Sequence, residues 1–99
     1  MSMALDDLPV ERILEIARAN GATSVKVFGS RARGDARPDS DLDLLIEVGP
    51  RTTLFDLGRM HVELNDLLGI EVDVVTVGSL LPDSREEILR EAIPLVVAA

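Results

Sequence analysis

Residues 24–48 read SVKVFGSRARGDARPDSDLDLLIEV: two apolar runs joined by a polar loop, the second run carrying aspartates at positions 41 and 43. No other feature constrains the fold as much. In a strand, residues i and i+2 project from the same face, so Asp41 and Asp43 stand side by side. The first run ends at Gly29-Ser30, and residues 31–40 separate that pair from Asp41. A third aspartate, Asp73, sits in the middle of IEVDVVTV, an equally apolar run. If the second and third strands are neighbours, three carboxylates converge on one patch.

The surrounding elements follow from periodicity. PVERILEIARAN (9–20) predicts a helix: Pro9 suits the first position, Asp6 and Asp7 favour its positive end, and Val10, Ile13, Leu14 and Ala17 form the apolar stripe. Gly21 is its stop. Residues 24–28 alternate and are β-branched, which predicts a strand. Residues 31–39 contain Gly34 and Pro38 and read as loop. Residues 40–48 form the second strand, broken by Gly49-Pro50. A second helix spans 53–69, capped by Thr52 or Thr53. Leu54, Leu57, Val62, Leu64, Leu67 and Leu68 give it a broad apolar face, Gly58 is a weak point and Gly69 the stop. Residues 70–77 form the third strand. Residues 82–92 form a third helix with Asp83 or Ser84 as cap. The tail IPLVVAA is expected to pack on the sheet, as a short strand or a docked segment. Phe28 and Phe55 are expected in the core, and His61 on the surface or facing a partner. The order α-β-β-α-β-α predicts a single α/β (α+β) domain over 1–99. Its mixed sheet has three or four strands, with helices on at least one face.

Composition removes several function classes. The chain has 99 residues, with 46% hydrophobic, 28% charged and only 2% aromatic, so it can build one aliphatic core. A net charge of −8 is wrong for a general nucleic-acid binder, which needs clustered Lys and Arg, and stacking aromatics are scarce. The absence of cysteine excludes disulfides and thiolate metal sites, and one histidine excludes a His-rich site. No run approaches the ~20 apolar residues of a membrane span. The acidic N-terminus has no signal-peptide pattern, so the expected location is cytoplasmic.

Each polar feature has an ordinary explanation when taken alone. A D-x-D at a strand edge is commonly a solvated face, Gly-Ser is a common turn, and Arg31, Arg33 and Arg37 fit a solvated loop. The combination is more specific. A Gly-Ser turn lets backbone N–H groups approach an anion. Crowded carboxylates repel one another and raise their own pKa values unless a cation joins them. Mg²⁺ takes hard oxygens, usually one or two carboxylates together with substrate phosphates, and a pair of such ions clamps both ends of a phosphoryl displacement. A phosphate cradle, a metal pair and a spare carboxylate together specify phosphoryl transfer.

The pattern G-S, ten residues, D-x-D, with a later aspartate between apolar neighbours, resembles the minimal nucleotidyltransferases of the polymerase-β-like superfamily. GSRARGDARPDSDLDLLIEV matches the family's wording almost throughout, and the terminal ILREAIPLV is of the same type. The resemblance implies that Asp41 and Asp43 hold two Mg²⁺ ions on ATP. Asp73 would complete the metal site and help deprotonate the acceptor. Gly29 and Ser30 would hold the β- and γ-phosphates, and Arg33, with Arg31, would balance their charge. It also implies transfer of AMP to a hydroxyl, a tyrosine of a HEPN-domain toxin, by a protein acting as its antitoxin in a homodimer or a mixed complex. Two other readings stay open at this stage: a non-catalytic antitoxin that blocks its partner by contact, and an enzyme with a small-molecule or RNA acceptor. A plain structural domain is the reading these features disfavour most.

Overall fold

The computed structural model of the protein describes residues 8–96. Asp6, Asp7 and the last three residues of the IPLVVAA tail lie outside them. Within the described residues the helix α1 (Val10–Ala19), the strand β1 (Ala22–Phe28), the short helix α2 (Ser30–Arg33) and the strand β2 (Leu42–Val48) follow in order. Next come α3 (Leu54–Leu68), β3 (Val72–Thr76), a 3-10 turn at Val77–Ser79, α4 (Pro82–Glu91) and the two-residue strand β4 (Ile93–Pro94).

The sheet has four strands in the order β3-β2-β1-β4. β1 runs antiparallel to both β2 and β4, while β2 and β3 are parallel and joined through α3. The mixed sheet expected from the sequence is therefore present. Strand alternation then decides which side chains face the helices. Val25 and Val27 of β1, Leu42, Leu44 and Ile46 of β2, and Val72 of β3 are all buried. They meet Ile13, Leu14 and Ala17 of α1 and Met60, Leu64 and Leu68 of α3 in one aliphatic cluster. Each fully buried Leu or Ile here stabilises the fold by about 1.5–3 kcal/mol.

The helix ends follow local chemistry. Thr53 closes a capping box on α3: its hydroxyl accepts from the Asp56 N–H at 3.2 Å, and its own N–H donates to the Asp56 carboxylate at 2.9 Å. Gly69 ends the same helix in the left-handed conformation. Asn65 ties the helix to the following strand by accepting the Val72 N–H at 2.6 Å.

Several expectations need correction. The buried stripe of α3 is Met60, Leu64 and Leu68, whereas Leu54 is 85% exposed and Val62 57%. Phe55 is 84% exposed and belongs to no core, because the helical repeat sets it on the face of α3 opposite Leu64. Phe28 follows Val27 on β1, so alternation turns it to the opposite face, where it is half-buried. Residues 30–33 form a helical turn where a loop was expected; Gly29 starts it and Gly34, in the left-handed conformation, ends it. Neither Asp83 nor Ser84 caps α4. Leu81 holds that position, and Pro82 takes the first helical place, where a missing N–H costs nothing. His61 lies at the surface, 3.0 Å from Glu71 and within reach of Asn65.

Candidate active site

The second face of the sheet carries the polar residues. On β1 and β2 the alternation that sends Val27 and Leu44 inward sends Phe28 and Asp43 outward, and the two are direct cross-strand partners. Asp43 in turn lies beside Asp73 in the parallel register of β2 and β3. One row across three strands therefore reads Phe28, Asp43, Asp73. Asp41 immediately precedes β2 and is exposed.

Gly29, at the end of β1, is packed against this row. Its φ is +76°, a backbone state L side chains rarely adopt, and a Cβ built there would run into the Asp43 carboxylate. Glycine is thus required twice, by conformation and by space. It lets the chain turn into α2 while its backbone stays against the carboxylate.

The turn and the row border an open cavity of about 680 Å³, within the range of small-ligand sites. Phe28, Gly29, Ser30 and Arg33 form one wall. Asp39, Ser40, Asp41 and Asp43 form a second, and Glu87, Ile88 and Glu91 of α4 a third. Gly29, Ser30, Arg33, Asp41 and Asp43 are therefore gathered around one space, and Asp73 stands at the flank of Asp43. Arg31 is placed differently. It is only 4% exposed and sits behind the cavity wall, with its guanidinium donating to the Ser40 carbonyl at 2.5 Å. It ties α2, which begins at Ser30, to the segment that carries Asp41.

Crowding of carboxylates has the expected electrostatic result. The Asp43 carboxyl is pushed up to about 6 from 3.8, first by burial, then by its hydrogen bond to Asp73 and the charges of Asp73 and Asp41, against the pull of Arg33. A divalent cation would reverse that penalty, and hard carboxylate oxygens are the donors Mg²⁺ prefers. Among the described residues no three Asp, Glu, His or Cys side chains form a ligand set by themselves. Mg²⁺ does not need one, since it commonly shares its shell between one or two carboxylates and substrate phosphates.

Sequence reasoning did not find the α4 residues. Glu91 accepts the Gly29 N–H at 2.6 Å and meets Arg33 at 3.2 Å. The signal lies in the β1–β4 pairing, where Val27 faces Ile93. Continuing that antiparallel register by two residues sets Gly29 opposite Glu91, but a two-residue strand leaves no periodic trace in a sequence.

The nucleotidyltransferase domain model matches residues 10–95, and the chain belongs to that family. Within it the chain is a nucleotidyltransferase of the minimal type. It is 39% identical over 85 residues to a protein of Methanocaldococcus jannaschii named for protein adenylyltransferase activity, covering 86% of this chain and 91% of that one. It is 34% identical over 79 residues to the protein adenylyltransferase MntA of Thermococcus cleftensis, covering 80% of each. A solved structure described as a minimal nucleotidyltransferase superposes with a TM-score of 0.84 at 48% identity, over 94% of this chain and 97% of the other. The MNT antitoxin complex with a tri-AMPylated HEPN toxin of Shewanella oneidensis shares the fold, with a TM-score of 0.66 at 16% identity over 90% and 70% of the two chains.

Proposed function

We propose that the protein transfers AMP from ATP, with Mg²⁺, to a hydroxyl of a partner protein, a tyrosine of a HEPN-type toxin, and so acts as the antitoxin of that pair. The observation that carries this is the row Asp43–Asp73 beside the Gly29 turn, on the rim of a cavity large enough for a nucleotide. The relatives named for protein adenylyltransferase activity support the reading, and the toxin complex of the same fold suggests the acceptor.

In this mechanism Asp41 and Asp43, with Asp73 beside Asp43, would hold the metal together with triphosphate oxygens. The chemistry a Mg²⁺ ion would supply there is neutralisation of triphosphate charge and a more electrophilic α-phosphorus. The Gly29 N–H and the Ser30 hydroxyl donate to phosphate oxygens, and Arg33, half in solvent, offsets their charge. Arg31 keeps α2 and the Asp41 segment in register from behind. The acceptor hydroxyl attacks the α-phosphorus, its proton passes to Asp73, the bond to the β-phosphate breaks and pyrophosphate leaves. The partner supplies the acceptor, and a net charge of −8 disfavours RNA in that role.

The test is neutralisation in cells. Co-expressed with its HEPN partner, the wild type should restore growth and Asp43→Asn should not. Growth restored equally by Asp43→Asn would show that contact alone blocks the toxin.

A further inference from the structure

Glu91 holds the donor atoms that a triphosphate would need. Its carboxylate takes the Gly29 N–H at 2.6 Å and both of its oxygens lie 3.2–3.3 Å from the Arg33 guanidinium. An amide has one proton to donate, so a phosphate oxygen and Glu91 compete for it. Glu87, one turn earlier on α4, brings a second carboxylate to the same cavity. Two carboxylates and a polyphosphate in one cavity repel one another.

We infer that Glu91 is an internal competitor for phosphate: its carboxylate occupies the Gly29 N–H and Arg33 in the free protein and must withdraw before a polyphosphate binds. This rests on the reading of the cavity as a triphosphate site. The element that carries Glu91 is suited to withdrawal. Glu91 is the last residue of α4, none of whose side chains is fully buried, and among the described residues the one element after it is the two-residue β4. Triphosphate binding is therefore coupled to the position of α4.

The test measures binding of inorganic tripolyphosphate with Mg²⁺ by calorimetry, with the Gly29 amide followed by NMR. Wild type, Glu91→Gln and Glu91→Ala are compared; the Gln variant keeps the shape and an acceptor if the Ala variant fails to fold. Loss of one charge-assisted competitor should tighten binding about tenfold in Glu91→Ala, with Glu91→Gln between it and wild type. In wild type the Gly29 amide resonance should move on adding tripolyphosphate, and in Glu91→Ala it should be displaced before any is added. Equal or weaker binding by both variants, with wild type binding well, overturns the inference and makes Glu91 a support for Arg33, leaving the triphosphate reading intact. No binding by any of the three proteins at millimolar concentration overturns both.

Discussion

Replacing Asp43 with Asn should make the metal-free protein more stable at neutral pH while abolishing transfer. The carboxyl is raised from 3.8 to about 6, which corresponds to ~3 kcal/mol against its ionised form above pH 6. Asp43 is partly exposed, and solvent screening reduces this to about 1 kcal/mol. Because the folded value lies above the unfolded one, the native state binds the proton more tightly. Wild type therefore loses this stability as pH rises from about 4 through about 6. Asn cannot ionise, and its amide can donate to Asp73. In a chain of this size ~1 kcal/mol corresponds to about 4–8 °C in Tm. Calorimetric scans without Mg²⁺ should place Asp43→Asn above wild type by several degrees at pH 7.5, with the gap closing toward pH 4.5. Millimolar Mg²⁺ should narrow it at pH 7.5, because wild type alone gains the full ligand set. A variant no more stable than wild type at pH 7.5, or a gap indifferent to pH, would refute the account of crowded carboxylates.

Three further substitutions test the parts around it. Gly29→Ala combines a left-handed φ with a Cβ directed at Asp43, so it should cost more than about 1 kcal/mol and abolish Mg-ATP binding; a melting curve and titration matching wild type would contradict the requirement for glycine. Ser30→Ala should weaken Mg-ATP binding by about 1 kcal/mol with no change in Tm, and unaltered affinity would reduce Ser30 to a turn residue. Thr53→Ala removes the α3 capping box, whose residues do not line the cavity, so it should cost about 1 kcal/mol of stability in denaturant titration and leave nucleotide affinity unchanged.

The parts of the fold with strong periodicity were legible in the sequence. The stripe Ile13, Leu14, Ala17 and the alternation through β2 each bury one face, so pattern and structure share a single cause. Phe28 was also legible in principle, since Val27 inward requires its neighbour outward. Phe55 was legible in the same way, since the helical repeat sets it opposite Leu64 on α3. The four-residue α2 depends on Gly29, Gly34 and the packing of Arg31 rather than on any repeat. The spacing of Gly29, Ser30, Asp41 and Asp43 placed four residues around one cavity. Asp73 joined them only once the parallel pairing of β2 and β3 was known, and Glu91 required the β1–β4 register.

Nucleotidyl transfer to a protein is read most directly by following the label of ATP. The protein is incubated with Mg²⁺, the proposed HEPN-type partner and ATP labelled either on the α- or on the γ-phosphate, beside the Asp43→Asn variant. Label should appear on the partner's band from α-labelled ATP only, and none with the variant. Label from γ-labelled ATP, equal labelling by Asp43→Asn, or no labelled protein in the presence of bound Mg-ATP would contradict nucleotidyl transfer to the partner.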